Sequence, residues 1–171
     1  NTDRDSYYGP GNDPLKAYGK TTDLTAMGGA QYVHTFDKCF FMPSDLTAGL
    51  EYNRDRLKDN MWGYNRHTDQ TVNIYSAFLQ NEWKNDRWGI LIGGRLDKHN
   101  MVDNVIFSPR ANLRFNPTQN INLRLSYSSG FRAPQAFDED MHIENVGGTV
   151  AMIERAKDLK EEKSQSFSVS A

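Results

Sequence analysis

The sequence has too few cysteines for a disulfide framework and too few consecutive apolar residues for a transmembrane helix. Cys39 is the single cysteine among 171 residues, which excludes an intramolecular disulfide and a metal cage built from several thiolates. The apolar runs are only a few residues long, whereas a membrane-spanning helix needs about 20. The opening segment, NTDRDSYYGPGNDP, has neither the basic start nor the apolar core of a signal peptide. We therefore expect either a removed signal or an internal piece of a longer chain.

Features of catalysis and of nucleic-acid binding are also missing. The formal net charge of −2 leaves no strongly basic footprint, so no nucleic-acid partner is expected. His34, His67, His99 and His142 have no serine or cysteine nucleophile in a recognisable elbow beside them, and no glycine-rich phosphate loop is present. The sequence thus predicts a protein that is not an enzyme and that needs no cofactor.

Alternation of apolar and polar residues is the dominant pattern that is present. Asn120 to Ser128 is the clearest example, because Ile121, Leu123, Leu125 and Tyr127 face one way while polar residues face the other. Seven segments of this kind predict strands. They are Asp23 to Thr35, Asp45 to Leu57, Gln70 to Trp83, Arg87 to Asp97, Phe107 to Asn116, Asn120 to Phe131, and a strand that starts at Ser164.

One predicted strand, Gln70 to Trp83, alternates less regularly than the others. Val72 and Ile74 lie on one face, but Tyr75 and Leu79 lie on the opposite face. This pattern predicts a bulge, or a strand that is partly covered on both sides.

The connections between the predicted strands alternate between short and long. The short ones are Phe36 to Ser44, Lys84 to Asp86 and Pro117 to Gln119; the long ones are Lys58 to Asp69, Lys98 to Ile106 and Arg132 to Lys163. This rhythm predicts an all-β antiparallel meander with long loops on one side and short turns on the other, as in outer-membrane barrels. Tyr52, Trp83, Trp88 and Tyr127 near strand ends fit interfacial girdles. A soluble β-sandwich that binds carbohydrate or protein also fits the alternation.

Three segments in order resemble a known family. They are GGRLDKHN (Gly93 to Asn100), SPRANLRFNPTQNINLRLSYSSGFRAPQAFDED (Ser108 to Asp140) and AKDLKEEKS (Ala156 to Ser164). Together they are similar to the barrel of TonB-dependent outer-membrane receptors, most of all those of Bacteroidetes. The family usually has tyrosine where Leu96 stands and proline where Glu161 stands. The resemblance implies a transmembrane barrel of about 22 strands with a plug in its lumen.

The resemblance also implies what residues 1–171 contribute. Seven strands make about a third of such a barrel, and no plug domain or TonB-contacting segment is recognisable, so we expect a part of the barrel on its C-terminal side. The whole receptor would lie in the bacterial outer membrane among its lipids. It would capture a scarce, bulky nutrient such as a siderophore, cobalamin, haem or another metal chelate, with an oligosaccharide as a weaker alternative. It would import this nutrient with energy delivered by TonB through the plug, and a surface lipoprotein is a further expected partner. A passive porin or an adhesin remains an alternative.

A basic patch is predicted on the polar faces of consecutive strands. Arg95, Arg110, Arg114 and Arg124 share these faces, and Glu51 is an acidic residue that can balance them, as can Asp55 and Asp97. In a barrel, these residues would contact the plug or set the electrostatic potential of the lumen wall. In a soluble fold, they would form an ordinary solvated sheet face.

The segment SYSSGFRAP predicts the end of a strand. Gly130 tolerates unusual dihedral angles and Pro134 cannot donate to a central ladder, so both are expected to terminate the strand. Arg132 would anchor the rim by pairing with carboxylates of a loop or a neighbouring strand, or would meet an anionic ligand.

The predicted long loops contain soft and imidazole ligands. Met61, His67, His99, Met101 and His142 are candidates for contact with a nutrient or its metal, because thioethers and imidazoles bind copper, zinc, iron or haem. Their spacing matches no ligand motif, and scattered loop side chains explain them equally well.

One helix is predicted in the last long loop. Thr149 is a suitable N-cap for the segment Thr149 to Lys163, in which apolar residues recur along one side. The helix would pack over the barrel mouth or act as a lid.

Overall fold

The computed structural model describes residues 1–7, 18–62, 65–135, 144–146, 149–151 and 159–171. These residues form antiparallel strands, of which seven follow the order expected from the alternating pattern and three, Thr2–Tyr7, Glu144–Val146 and Thr149–Ala151, were not predicted. The strands are β1 (Thr2–Tyr7), β2 (Tyr18–Cys39), β3 (Met42–Met61), β4 (Arg66–Lys84), β5 (Trp88–His99), β6 (Ile106–Thr118), β7 (Ile121–Arg132), β8 (Glu144–Val146), β9 (Thr149–Ala151) and β10 (Glu162–Ser170). Eight of them form one sheet in the order β1-β2-β3-β4-β5-β6-β7-β10, and β8 and β9 form a separate pair. The predicted all-β antiparallel meander is confirmed.

The chain divides into two units. The first unit comprises Asn1–Met27, Asn53–Asn73 and Pro134–Lys160, and the second comprises Gly28–Tyr52, Ile74–Ala133 and Glu161–Ala171. In the first unit, β1 pairs with β2 from Thr2 opposite Asp23 to Tyr7 opposite Tyr18. This unit buries the apolar residues Leu57, Met61 and Val72. It also buries polar residues, among them Thr21 and Asp59.

Side chains with two different characters cover the two faces of the sheet in the second unit. The register aligns Phe78, Arg95 and Ser108 on one face, which we call the polar face. The opposite face carries mainly aliphatic and aromatic residues that the described chain leaves uncovered, including Ile92 with 57% exposure and Val169 with 80%. We call it the apolar face. An exposed apolar surface of this kind marks contact with a membrane or another protein.

Burial in the second unit is inverted relative to that of a soluble domain. Asp97 and His99 are almost fully buried, with 3% and 0% exposure, although polar residues are normally outside. The apolar cluster among the described residues is small and consists of Val102, Ile106 and Ala133, with Phe131 packed against it. The predicted β-sandwich alternative requires two sheets that bury their apolar faces against each other, and this arrangement does not match the single eight-stranded sheet.

Two short turns of the second unit are fixed by specific hydrogen bonds. Asn85 Oδ1 accepts from the backbone N–H groups of Arg87 (2.9 Å) and Trp88 (2.7 Å), which closes the β4–β5 turn. At the β2–β3 turn, Trp83 Nε1 donates to the carbonyl oxygen of Cys39 at 3.0 Å. The ring of Phe41 stacks on Trp83 with a centroid distance of 5.7 Å. The turn is therefore tied to β4.

Several predicted boundaries are wrong. The predicted long loop Lys58 to Asp69 is mostly strand, because β3 continues to Met61 and β4 begins at Arg66. Leu57, Asp59 and Met61 are all buried, so the period of two continues through this polar segment and keeps the strand in the sheet. The loop between β5 and β6 is confirmed, and it spans residues 100–105.

The irregular pattern predicted for β4 does not arise from a bulge where this strand meets β5. Residues Ile74–Lys84 pair with Gly89–His99 in one continuous register. Val72 is buried, whereas Tyr75 and Leu79 are exposed on the apolar face. The apolar residues of β4 therefore move from one face to the other along the strand, while the pairing with β5 continues without a break.

The predicted helix from Thr149 to Lys163 is wrong at both ends. Thr149–Ala151 is β9, paired with β8, and Glu162 and Lys163 belong to β10. Residues 152–158 lie outside the described part. The β-branched Thr149 and Val150 favour extended backbone, which explains why strand pairing prevails over the N-cap signal. Within the described residues, no helix has the length and apolarity needed to cross a membrane.

Candidate functional site

The polar face of the second unit is built by the strand register. Gly93, Arg110 and Ser128 lie side by side on β5, β6 and β7, and Arg114 is directly opposite Arg124. Because side chains alternate between faces along a strand, these residues and Arg95 all point to the same side of the sheet. The structure therefore confirms that the four predicted arginines share one face.

Arg95 is the centre of a hydrogen-bonded cluster on this face. Its Nη1 and Nη2 atoms donate to the two carboxylate oxygens of Glu51, each at 3.1 Å. Nε donates to Asp97 Oδ1 at 2.8 Å, and Nη2 also donates to Ser76 Oγ at 2.7 Å. The Ser76 hydroxyl in turn donates to Asp97 Oδ1 at 2.6 Å. The paired fork geometry towards Glu51 is the strong form of an arginine–carboxylate contact.

This cluster joins three strands. Glu51 lies on β3, Ser76 on β4, and Arg95 and Asp97 on β5, so the guanidinium reaches across β4. Asp97 is buried, and its charge is compensated by Arg95. Two carboxylates and one guanidinium leave the cluster with a net charge of −1, and its members satisfy one another. Its chemistry is that of a structural clamp, because the Arg95 guanidinium hydrogen-bonds to Glu51, Ser76 and Asp97 at the same time.

The other arginines of the face have different surroundings. Arg114 Nη2 donates to the carbonyl oxygen of Asn85 at 3.1 Å, and its side chain lies over Gly89, where an added Cβ would be 3.1 Å from Nε. Arg124 Nε donates to Asn122 Oδ1 at 2.8 Å. Arg110 is exposed and has no side-chain partner among the residues that the structure describes. The predicted balance by acidic residues therefore applies to Arg95 alone.

Two concave regions lie along this face. One has a volume of about 500 Å³, and its lining includes Glu51, Phe78, Arg95 and Arg110. The other has a volume of about 560 Å³, and its lining includes Arg114, Arg124, Lys84 and Glu82. Phe78 lies over Gly49, where an added Cβ would be only 2.3 Å from the ring.

Comparison with known proteins decides the family. A family model described as "TonB dependent receptor-like, beta-barrel" matches residues 1–171. The chain belongs to this family. Its members are outer-membrane proteins that transport ligands in a TonB-dependent manner, and the family is one of transporters. A comparison with curated proteins gave no match.

Three residues that were predicted to end a strand of this receptor barrel have separate positions. Gly130 lies inside β7 and pairs with Ser164, so the prediction that it terminates the strand is wrong. An added Cβ at Gly130 would lie 3.3 Å from Ser164 Oγ, which makes glycine suitable for close strand pairing. Arg132 is the last residue of β7 and is opposite Glu162. Pro134 follows two residues after the strand.

The receptor barrel places most of the predicted loop ligands on strands. Met61 ends β3, His67 lies within β4, and His99 ends β5. Met101 follows β5, and its backbone N–H donates to His99 Nδ1 at 3.0 Å. His142 lies outside the described residues. The location predicted for Met61, His67 and His99 is therefore wrong, because the strands continue further than their polar sequences indicated.

These residues do not assemble a metal centre within the described part of the receptor barrel. His67 Nδ1 is 3.0 Å from Asn60 Oδ1, and Met61 is 1% exposed. Among the residues described, no group of three or more histidine, cysteine, aspartate or glutamate side chains has the geometry to hold a metal ion.

The sequence did not predict two hydrogen-bonded groups of the receptor barrel that are each centred on an aspartate. Asp59, fully buried in the first unit, accepts a hydrogen bond from Thr21 Oγ1 at 2.7 Å. In the second unit, Asp45 accepts from Lys84 Nζ at 2.6 Å and from Thr35 Oγ1 at 2.8 Å. One pattern in the sequence indicates these groups. Asp45, Glu51, Asp55 and Asp59 are separated by even numbers of residues along β3, which places them on one face of the strand.

Proposed function

We propose that residues 1–171 form part of the barrel wall of an active outer-membrane transporter, with no plug domain within them. The observation that supports this proposal most strongly is the family match over the whole chain, together with the exposed apolar face. Lipid contact explains why Ile92 and Leu125 remain uncovered while Asp97 and Ser76 are buried. The barrel would close with additional strands to about 22, and the motifs favour a receptor of the Bacteroidetes type.

In this transporter, the polar face would be the lumen wall. Glu51 and Arg95 would fix the wall as a rigid surface, while Arg110, Arg114 and Arg124 would contact the plug. Arg132 would anchor the rim through the neighbouring strand, since it lies opposite Glu162. Gly130 and Pro134 would be structural.

The proposed cargo is a metal chelate such as a siderophore, cobalamin or haem. The support is the resemblance of the ordered motifs. Of the predicted ligand candidates, Met101 lies in the loop after β5, whereas Met61 and His99 are buried at strand ends and His67 lies within β4. A surface lipoprotein is proposed as a partner on the same basis. TonB would deliver the energy through the plug.

Uptake by cells tests this proposal. Deleting the gene should abolish growth on one chelate as the only iron or cobalamin source, and deleting TonB should have the same effect. A control strain with the gene restored should regain growth. Unchanged uptake of siderophores, cobalamin and haem in the deletion strain would refute the proposed cargo class. Uptake that is independent of TonB would favour a passive barrel.

A further inference from the structure

The β5–β6 loop, residues 100–105, is closed by a histidine in a place that asparagine or aspartate usually occupies. His99, the last residue of β5, accepts a hydrogen bond at Nδ1 from the backbone N–H of Met101 at 3.0 Å. Its carbonyl oxygen accepts from the backbone N–H of Val102 at 3.2 Å. A side-chain acceptor that binds the N–H two residues further on is the geometry of an Asx turn. His99 therefore holds the turn with both its backbone and its side chain.

Two further contacts hold this loop against the second unit. Lys98 Nζ donates to the carbonyl oxygens of Val102 at 3.1 Å and Asp103 at 2.6 Å. Val102 is itself buried in the small apolar cluster of this unit. The side chain of His99, which supports the turn from below, is fully buried as well. The loop is therefore packed in place, and an imidazole is one of the groups that fix it.

The hydrogen bond from Met101 fixes the protonation state of this imidazole. A backbone N–H can only donate, so Nδ1 of His99 must hold a lone pair and the ring must be neutral. Protonation of Nδ1 would set two N–H groups against each other and would remove the acceptor of the Met101 N–H. Imidazole is the side chain whose charge ordinarily changes between about pH 5 and about pH 8. The turn therefore depends on an acceptor that a proton can occupy.

The charged residues near His99 in the second unit lie on β5, on the loop and at the ends of β7 and β10. They are Arg95, Asp97, Lys98, Asp103, Arg132 and Glu162. On the neighbouring strands, Ile74 pairs with His99 and Ile106 is the first residue of β6, so neither strand adds a charge there. Asp97 lies two residues before His99 on the same face, and Arg95 binds it at 2.8 Å. His99 is the single imidazole in this described neighbourhood.

We propose that His99 is a pH-sensitive latch, which holds the β5–β6 loop closed while its imidazole is neutral and releases the loop when the imidazole takes up a proton. The closed turn needs an unprotonated Nδ1, whereas the open loop places no such demand on the ring. Mass action by protons therefore favours the open loop as the pH falls. Release would also withdraw Val102 from the apolar cluster, because this residue directly follows Met101 in the turn.

The latch acts on the long-loop side of the sheet. The β5–β6 loop carries Met101 and lies at the opposite end of β5 from the turn that Asn85 closes. The proposed function places the long loops at the cell surface, and the biological role of the latch rests on it to that extent. A neutral exterior would keep this surface loop closed, and an acidic exterior would open it. The latch itself is a property of the turn and does not depend on the cargo.

Hydrogen–deuterium exchange of the receptor purified from outer membranes tests the proposal. Peptic fragments that cover residues 98–106 are compared at about pH 7.5 and about pH 5.5, on either side of the ordinary imidazole transition. Mass spectrometry gives the protection of the loop amides after correction for the intrinsic exchange rate at each pH. His99→Asn is the decisive variant, because its Oδ1 can accept from the Met101 N–H as in an Asx turn but takes up no proton in this range. His67→Asn is the matched control, since His67 is exposed on β4.

We expect the loop amides of the unmodified receptor to lose about tenfold or more of their protection at the lower pH, because the Met101 N–H loses its acceptor. In His99→Asn the protection should not depend on pH, while His67→Asn should behave as the unmodified receptor does. A fragment from β7 should keep its protection throughout.

Equal protection of the loop at both pH values in the unmodified receptor would overturn the proposal, and this comparison needs no variant. A loss of the same size in His99→Asn would also overturn it, because another group would then be the titrating one. An equal loss in the β7 fragment would indicate general unfolding and would exclude a latch. Loss of chelate uptake would bear on the proposed cargo and leave the loop measurement unaffected.

Discussion

Removing the guanidinium of Arg95 is expected to weaken the receptor more than removing any exposed arginine. Arg95→Met preserves much of the side-chain length while deleting the hydrogen bonds to Glu51, Ser76 and Asp97. Asp97 then remains buried, with a 4% exposed side chain and, among the residues that the structure describes, only the Ser76 hydroxyl as a partner. The substitution therefore leaves a poorly compensated carboxylate inside the sheet.

The burial of Asp97 sets the size of the expected loss of stability. Breaking a buried ion pair by removing one partner typically costs about 3–5 kcal/mol. The Arg95 and Glu51 side chains are 35% and 31% exposed, so solvent screens part of their attraction and the Glu51 contact adds little. We expect Arg95→Met to reduce the free energy of unfolding by about 2–3 kcal/mol. The double variant Arg95→Met/Asp97→Asn should recover a substantial part of this loss, because it removes the stranded charge.

Guanidinium-induced unfolding of the receptor in lipid vesicles, followed by tryptophan fluorescence, measures this change. Arg87→Met is the matched control, since Arg87 is exposed in the β4–β5 turn and should change stability by less than about 0.5 kcal/mol. If Arg95→Met were no more destabilising than this control, or if the added Asp97→Asn substitution made the loss larger, the clamp interpretation would be incorrect.

Two further substitutions test the packing and the face assignment. Gly49→Ala should lower the unfolding temperature, because the new Cβ would lie 2.3 Å from the Phe78 ring. Gly28→Ala is the control and should leave the unfolding temperature nearly unchanged, because no atom lies within 4 Å of its new Cβ. Equal unfolding temperatures for the two variants would contradict the packing of Phe78 on Gly49. Ile92→Arg on the apolar face should reduce the amount of folded receptor in outer membranes, at a cost of up to about 2–4 kcal/mol if the position lies near the bilayer midplane. Ser166→Arg on the polar face, where Ser166 is exposed and lies opposite Ser128, should be tolerated, and equal abundance of these two variants would argue against lipid contact at Ile92.

The sequence was sufficient to predict seven of the strands and the faces of the regularly alternating ones, but not β1, β8 or β9. Alternation along Asn120 to Ser128 depends only on the period of a strand, and β7 has the predicted orientation, with Leu123 and Leu125 exposed on the apolar face. The common face of Arg95 and Arg110 followed for the same reason. A period of two is a local property, so a single sequence contains it.

Partners across the sheet could not be predicted from the sequence. Arg95 and Glu51 are 44 residues apart and on strands that are not neighbours, so their contact depends on the register of two separate strand pairs. Strand ends were also poorly predicted. His99 and Met61 occur in polar segments that suggest loops, yet both are buried at strand ends, because hydrogen bonding to neighbouring strands extends the sheet beyond its apolar residues.

The contact between the β2–β3 turn and Trp83 gives the protein a natural optical reporter. Cys39 is the only cysteine in this sequence and is partly exposed, and its carbonyl oxygen binds an indole that is 44 residues away. A thiol-reactive quencher attached to Cys39 would therefore reduce the fluorescence of Trp83 only after β2, β3 and β4 have paired. The time course of this quenching during refolding would then give the rate at which the three strands assemble. The experiment needs no substitution in the protein.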